Sequence, residues 1–370
     1  MSNSVKSAGV KLTEYTLFTP GPTDIPDEIL KASSKPVIYH REEKFAKLYE
    51  ETSEKLKKIL YTKNRIIFFT SSGTGAMEAA CSNILSKDEE PIVAICGKFG
   101  QRWLELCEAY KVKPLELKED YGKAVQLEKV EKILKKQNKP TVIFVTLTET
   151  STGVLNDIEG LGKLSKKYNS FLVVDGVAGI GADFCPQDDW GIDVLVGASQ
   201  KALMSPPGIS FISINDRISE KMQKSDLPKY YFDLKISERF RLKNQTPWTP
   251  AINIFYGLEK GIDTILKVGL DNTFRRHREM AQYVRERIKN MEMNLMAERP
   301  SNALTVIEMP EHLKSTAIIK ELKEKHGILF ADGQAELKGK IIRIGHMGNY
   351  DISKLGRALE ALENVLGQWR

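Results

Sequence analysis

The stretch that decides the fold is residues 171–201, FLVVDGVAGIGADFCPQDDWGIDVLVGASQK. It contains two short apolar runs, at 171–175 and 193–199, of the kind that forms strands covered on both faces. The first run ends on Asp175, and the second leads directly into Gln200 and Lys201. We therefore predict two buried strands that each deliver a charged side chain to the end of a sheet.

Four more runs of the same kind surround this stretch. They occupy residues 65–70, 91–96, 141–147 and 209–214. Helix-like patterns separate them, at residues 76–86, 101–110, 127–136 and 160–169. Alternating strands and helices predict an α/β fold with a mostly parallel central sheet and helices on both faces.

The C-terminal part follows a different pattern. After the proline-bearing segment 245–250 comes a long helical region, from 251 to about 291. The remaining predicted elements are a strand at 303–309, a helix at 312–326, strands at 327–331 and 340–344, and a helix at 352–367. We therefore expect a smaller α+β C-terminal domain, and we divide the chain into a segment 1–19, a large domain 20–255 and a small domain 256–370.

Composition excludes several classes of protein. The longest apolar runs are of strand length, whereas a membrane-spanning helix needs ~20 apolar residues. The net charge of +6 comes from 55 basic and 49 acidic residues, mostly interspersed and without an aromatic-basic motif, so we expect no nucleic-acid partner. The four cysteines form no CxxC pair, so neither a disulfide framework nor a metal site is expected. The start of the chain is polar and lacks the apolar stretch of a secretory signal, which favours a cytoplasmic location.

The first candidate for a binding site follows the strand at 65–70, because ligands of open α/β sheets bind at the carboxyl ends of the strands. Residues 71–75, SSGTG, place hydroxyls and glycines in front of a helix. Backbone N–H groups and the helix dipole at such a turn attract an anion such as a phosphate. The turn is not a P-loop, and Glu78 stands where a dinucleotide fingerprint has its third glycine. A plain tight turn with a helix N-cap is the alternative.

The other strand ends carry complementary groups. A carboxylate such as Asp175 at the end of a buried strand must meet a cation or a donor, although capping the next turn would also satisfy it. Lys201 is a candidate Schiff-base amine, with an ordinary surface lysine as the alternative. Residues 149–153, ETSTG, add hydroxyls at a third strand end. Together with the turn at 71–75, these groups match the three needs of pyridoxal phosphate, namely an anion site, a carboxylate for the ring nitrogen and an amine for the aldehyde.

A series of short motifs follows this order along the chain. They are TPGP at 19–22, HR at 40–41, SGTG at 72–75, GKFGQR at 97–102, STG at 151–153, VDGV at 174–177, GASQKA at 197–202, PPG at 206–208 and RIGHMG at 343–348. With these motifs the chain resembles the class V aminotransferases of the fold-type I pyridoxal-phosphate superfamily, especially the alanine–glyoxylate and serine–pyruvate aminotransferase group. The resemblance runs from about Phe18 to the C-terminus.

The resemblance implies pyridoxal 5′-phosphate as the cofactor and assigns roles to residues. Lys201 would form the Schiff base and shuttle the proton between substrate and cofactor, and Asp175 would pair with the ring nitrogen. The residues beside the ring would be Phe99, where relatives often have Trp or Tyr, then Val177 and Ser151, the last next to the ring oxygen. The phosphate would be bound by Ser72, Gly73, Thr74 and Gln200.

Two further residues complete the set that the resemblance implies. Arg343 would bind the substrate carboxylate, since a guanidinium pairs with a carboxylate through two parallel hydrogen bonds. Thr246 would reach the phosphate of a second subunit, which implies a homodimer with shared active sites, on which segment 1–19 would also pack. Lys243 stands where the human-type enzymes of this group carry a tyrosine, three residues before this threonine. Either a positive charge replaces the phenol near the phosphate, or the loop runs differently.

The function that the resemblance implies is ping-pong transamination from alanine or serine to glyoxylate or pyruvate. The first alternative is a 2-aminoethylphosphonate–pyruvate aminotransferase, whose anionic substrate is compatible with the net positive charge. A desulfurase or related lyase of the same fold is a weaker alternative, because Phe99 stands at the ring position and no cysteine follows Cys185. The alternative outside enzymes is a regulatory protein that binds the cofactor, against which the intact Lys201 and Asp175 argue.

Overall fold

The computed structural model describes residues 15–369, so most of the predicted segment 1–19 lies outside the described residues. Its strands are, in chain order, β1 (Thr16–Leu17), β2 (Arg65–Phe69), β3 (Ile92–Ile95), β4 (Leu115–Lys118), β5 (Val142–Thr146), β6 (Thr148–Glu149), β7 (Val154–Leu155), β8 (Phe171–Asp175), β9 (Val194–Ala198), β10 (Ser210–Ile214), β11 (Leu304–Glu308), β12 (Ile328–Leu329), β13 (Ala331–Asp332) and β14 (Ile341–Gly345). Its helices are α1 (Asp27–Ser33), α2 (Glu43–Leu60), α3 (Gly73–Ile84), α4 (Lys98–Ala109), α5 (Leu127–Leu134), α6 (Ile158–Lys167), α7 (Ser219–Lys224), α8 (Leu234–Arg241), α9 (Ile252–Val268), α10 (Leu270–Asn290), α11 (Ser315–His326) and α12 (Ile352–Trp369). A short 3₁₀ helix, Ala335–Leu337, lies between β13 and β14.

Seven strands form the central sheet, in the order β2-β10-β9-β8-β5-β3-β4. β10 runs antiparallel to both of its neighbours, whereas the other adjacent pairs are parallel. The predicted α/β fold with a mostly parallel central sheet is confirmed. The six strands predicted from the sequence are six of these seven, and each of their ends lies within one residue of the predicted position.

The strand that the sequence did not predict is β4. It lies at the edge of the sheet next to β3 and reads LELK, in which only Leu117 is buried. An edge strand with charged side chains in solvent lacks the continuous apolar run that revealed the other strands.

The central sheet is buried on both faces because successive side chains of a strand point to opposite sides. In β2, Ile66 and Phe68 belong to one core with residues of α2, α6 and α9. Ile67 and Phe69 belong to the other core, with residues of α3 and α4. Burial of both alternating sets explains why the strands read as unbroken apolar runs.

The C-terminal part contains an antiparallel sheet in the order β11-β14-β13, and α10, α11 and α12 share a separate core with it. The region predicted as helical at 251–291 is two helices, because Gly269, with a φ of +88°, interrupts it between α9 and α10. α9 packs on α1 and α2 beside the large sheet and runs through residue 255. The division into domains 20–255 and 256–370 stays a prediction.

The arrangement of the sheet determines where a site can form. The parallel strands β2, β3, β5, β8 and β9 all end at the same edge, and each is followed by one of the polar segments identified in the sequence. Ligands of open α/β sheets bind at this edge. Within residues 15–369, no helix is both long enough and apolar enough to cross a bilayer.

Candidate active site

A cavity of about 140 Å³ lies at the carboxyl edge of the central sheet. Its lining residues are Ser72, Gly73, Thr74, Met77, Phe99, Arg102, Thr148, Thr150, Asp175, Val177, Ala178, Gln200 and Lys201. They come from the segments that follow β2, β3, β5, β8 and β9. Eight of the eleven predicted site residues are among them, and the other three are Ser151, Thr246 and Arg343.

Lys201 lies in the first turn after β9 and is almost completely buried. Its Nζ donates a hydrogen bond of 2.6 Å to the backbone carbonyl of Pro20. Burial lowers the pKa of Lys201 to about 8, and the nearby charges of Arg343 and Arg102 lower it too, whereas Asp175 raises it. About a tenth of this amine is therefore neutral, and hence nucleophilic, at pH 7.

Gly21 is the residue that lets the chain pass so close to this lysine. Its φ is +113°, and a Cβ at this position would lie 2.5 Å from Nζ of Lys201. A side chain at residue 21 would therefore occupy the space of the amine. This close approach explains the glycine of the TPGP motif in physical terms.

Asp175 is the last residue of β8 and is buried. Burial raises the pKa of its carboxyl to about 6, against a lowering effect of the backbone N–H of Val177, which donates to Oδ1 at 2.9 Å. Among residues 15–369 the other carboxylate oxygen accepts no hydrogen bond from a neighbour, and Asp175 lines the cavity. The free oxygen is thus available to a ligand that carries an N–H.

The segment at the start of α3 has the properties of an anion site. Ser72 is the N-cap residue and Gly73 the first residue of a helix of 12 residues, and the hydroxyl of Ser72 makes no capping hydrogen bond. Free N–H groups at a helix N-terminus bind phosphate groups. Gln200 lines the cavity as well, and its Oε1 is buried without a hydrogen-bond partner in the described chain.

Phe99 lies in the first turn of α4, where its backbone N–H donates to the carboxylate of Glu149 at 3.0 Å. The guanidinium of Arg102 lies over its ring, with Cζ 4.7 Å from the ring centroid. The same guanidinium donates from Nη1 to Oγ1 of Thr74 at 3.2 Å. Phe99 and Arg102 therefore form one wall of the cavity together with the start of α3.

Residues 148–151 divide their side chains between two environments. Thr148 and Thr150 line the cavity, whereas Ser151 does not. The hydroxyl of Ser151 donates to Glu149 at 2.6 Å and accepts from the backbone N–H of Lys98 at 2.9 Å. Thr150 rather than Ser151 therefore lines the cavity, and the role that the resemblance gives to Ser151 stays a prediction.

Arg343 projects from β14 of the C-terminal sheet and is buried beside the cavity. Its Nε donates to the carbonyl of Asp332 at 2.8 Å, and its Nη1 donates to the carbonyl of Thr150, a cavity residue, at 3.2 Å. Burial lowers the pKa of this guanidinium, and Asp332 and Glu149 oppose the shift. Two carbonyl contacts hold the side chain in place without neutralising its charge.

Thr246 is buried away from the cavity of its own chain. Its hydroxyl donates to the carbonyl of Trp248 at 2.7 Å, and its own carbonyl accepts from Nη1 of Arg41 at 2.6 Å. Arg41 also donates to the carbonyl of Pro247 at 2.8 Å, so it fixes this whole segment. Lys243 is exposed on the same segment.

The cavity fits pyridoxal phosphate in its donor and acceptor groups. The start of α3 offers N–H groups and hydroxyls, Asp175 offers a free carboxylate oxygen, and Lys201 offers an amine of lowered pKa. Sequence reasoning missed Arg102 and Thr150, although both lie within motifs that it quoted or described, and it missed the buried acceptor Glu149. Among the described residues, no group of three His, Cys, Asp or Glu side chains could hold a metal ion.

Comparison with known proteins places the chain in a family of aminotransferases. The family model for aminotransferase class-V matches residues 16–350. An L-aspartate–glyoxylate aminotransferase from Paracoccus denitrificans is 33% identical over 91% of this chain and 87% of its own length. A serine–glyoxylate aminotransferase from Hyphomicrobium methylovorum is 33% identical over 95% of this chain and 89% of its own length. The crystal structure of an alanine–glyoxylate aminotransferase from Nostoc sp. matches with a TM-score of 0.92 at 27% identity and covers 97% of both chains.

Proposed function

We propose that this chain, which belongs to the class V aminotransferases and uses pyridoxal 5′-phosphate, moves an amino group from alanine or serine to glyoxylate or pyruvate in a ping-pong cycle. The three relatives described above share glyoxylate in their names but differ in the amino donor. The names of these relatives therefore do not select the donor, whereas the charges of the site do.

The choice of donor is supported by Arg343, our proposed carboxylate anchor, which is buried beside the cavity and donates only to two backbone carbonyls among the described residues. Arg102, the other guanidinium at the cavity, is engaged by Thr74 and by the ring of Phe99. A donor with a second carboxylate, such as aspartate, would bury an unpaired charge, which is costly. A small donor with one carboxylate, such as alanine or serine, fits the charges that the described chain provides.

The reaction divides between cofactor and protein. Pyridoxal phosphate, when bound, supplies the aldehyde that takes the amino group and the ring that stores the electron pair released at the α-carbon. Lys201 acts as the base at that α-carbon, because its lowered pKa leaves part of the amine neutral. Asp175 holds the proton of the ring nitrogen, and Arg343 orients the substrate by its carboxylate. Phe99 and Val177 cover the ring and exclude water.

A homodimer with shared active sites is part of the proposal. Ser72, at the start of the anion site, is exposed in the single chain, as expected if a second subunit covers it. Large apolar side chains are also exposed on this side of the segment: Leu242, next to Lys243, is 72% exposed, and Tyr230, whose ring lies 5.1 Å from that of Trp248, is 71% exposed. Exposed apolar patches mark interaction surfaces. Lys243 would reach the partner's phosphate from this surface, and the hydroxyl of Thr246 would do so by turning away from the carbonyl of Trp248. The cytoplasmic location stays a prediction.

The test is a donor panel on the purified protein saturated with cofactor. Alanine, serine, aspartate and 2-aminoethylphosphonate are mixed with it in turn, and stopped-flow absorbance follows conversion of the cofactor from its aldehyde to its amine form. We expect fast conversion with alanine or serine and none in Lys201→Ala. Fast conversion by aspartate or by 2-aminoethylphosphonate alone would refute the proposed donor class.

A further inference from the structure

The structure assigns to Arg102 a role that nothing in the sequence indicated. We propose that Arg102 is a positioning residue that fixes the ring of Phe99 over the cofactor and aims the hydroxyl of Thr74 at its phosphate. The proposal rests on the proposed function only in so far as the chain must bind pyridoxal phosphate.

The ring of Phe99 lies against the guanidinium of Arg102. Arg102 lies one turn after Phe99 in α4, and its guanidinium lies 4.7 Å from the ring centroid, within the ~6 Å over which a cation attracts an aromatic face. The backbone of Phe99 is held separately, because Glu149 accepts its N–H at 3.0 Å. Glu149 therefore fixes the position of the Phe99 backbone, and Arg102 fixes the orientation of the Phe99 ring.

The hydroxyl of Thr74 can bind Arg102 and a phosphate at the same time. A threonine hydroxyl has one proton to donate and two lone pairs that accept. Nη1 of Arg102 donates to Oγ1 of Thr74 at 3.2 Å, so it uses a lone pair and leaves the proton free. That proton can then be donated to a phosphate oxygen, which only accepts. Arg102 thereby orients the hydroxyl of Thr74 as a hydrogen-bond donor, which is what an anion requires.

Arg102 also brings a positive charge to the cavity. Among the described residues that line the cavity, Lys201 and Arg102 are the only cations. Lys201 is committed to the aldehyde end of the cofactor, so Arg102 supplies the permanent positive charge near the phosphate. Its charge also reaches both Lys201 and Asp175, since it lowers the pKa of each.

The experiment compares two probes, pyridoxal phosphate and pyridoxal, which lacks the phosphate. Dissociation constants are measured by equilibrium dialysis on the full-length protein and on Arg102→Met. We expect pyridoxal phosphate to bind about 10–100-fold more weakly to the variant, and pyridoxal only severalfold more weakly, because the phosphate contribution disappears. Arg102→Lys keeps the charge and should recover most of the preference for the phosphorylated probe.

Two further variants separate positioning from general damage. Thr74→Val removes the hydroxyl, and its loss of affinity should add less than fully to that of Arg102→Met, because the two side chains act together. Arg275→Met removes an exposed arginine on α10 and should change neither dissociation constant. Thermal unfolding followed by circular dichroism checks the fold, and if Arg102→Met does not fold, Arg102→Gln is used with the same expectation.

The measured affinities test the role of Arg102 separately from the proposed function. Wild-type affinity of Arg102→Met for both probes, or full additivity with Thr74→Val, would overturn the role of Arg102 and leave the proposed function intact. Absence of binding to the wild-type protein would instead overturn the proposed function. The positioning role would be supported if Arg102→Met prefers pyridoxal phosphate over pyridoxal less strongly than the wild type does, and if Arg102→Lys recovers that preference.

Discussion

Replacing Gly21 by alanine should disable Lys201 while leaving the fold almost unchanged. A Cβ at residue 21 would lie 2.4 Å from Cδ and 2.5 Å from Nζ of Lys201. Non-bonded carbon atoms prefer a separation of about 3.5–4.0 Å, so the end of the lysine must move by about 1 Å or more. A displacement of this size in a reacting group costs about a hundredfold in rate.

The effect of Gly21→Ala on stability should be much smaller. The φ of +113° imposes a strain of about 1–3 kcal/mol on an alanine. For a chain of 370 residues this corresponds to a Tm lower by only about 1–4 °C. The steric conflict itself falls on the flexible end of a lysine side chain, which moves more easily than backbone.

The assay is the rate at which pyridoxal phosphate becomes attached to Lys201 in the apoprotein, trapped with borohydride and followed by peptide mass spectrometry. Gly269→Ala is the matched control, because residue 269 also has a positive φ, +88°, but its Cβ would meet only Asn272 Nδ2, at 3.7 Å. The control should lose similar stability and keep the normal rate. Attachment to Gly21→Ala at the wild-type rate, or an equal slowing in Gly269→Ala, would refute the reasoning.

Three further substitutions test the site and the core. Asp175→Asn removes a charge that raises the pKa of Lys201, so the pH profile of cofactor attachment, measured above pH 6, should shift to lower pH than the wild-type midpoint near 8; an unchanged midpoint would contradict this. Arg343→Met should raise the KM for alanine about 10–100-fold in steady-state kinetics and leave cofactor affinity unchanged, because a charged hydrogen bond to the carboxylate is lost; an unaltered KM would show that another group binds the carboxylate. Burial lowers the pKa of His277 to about 4 from an ordinary value of 6.5, so as the pH falls from 6.5 the unfolded chain binds a proton that the folded chain does not. His277 should therefore lower the free energy of unfolding by about 1.4 kcal/mol for each pH unit below 6.5. Urea titrations at pH 7 and pH 5 should show a smaller loss of stability in His277→Gln than in the wild type. Equal losses in the two proteins would exclude His277 as the source of the pH dependence.

Much of the fold was predictable because burial on both faces leaves a simple mark in the sequence. A strand such as β8 reads as an unbroken apolar run, and the first polar residue after it, Asp175, stands out at its end. The edge strand β4 was missed because half of its side chains face solvent. The break between α9 and α10 was missed because Gly269 alone, inside a helical pattern, does not predict an interruption.

The sequence by itself therefore determined where six of the seven sheet strands lie along the chain. It also determined the positions of Asp175 and Lys201, since a charge that follows a buried strand must lie at the sheet edge. Only the tertiary structure decided which of two neighbouring side chains faces the cavity and which contacts another segment. In the turn after β6, Thr150 faces the cavity whereas the hydroxyl of Ser151 donates to Glu149. The contact of Arg102 with Thr74 joins two helices that are adjacent only after folding. Such choices depend on distances between distant segments, which a pattern along one chain does not contain.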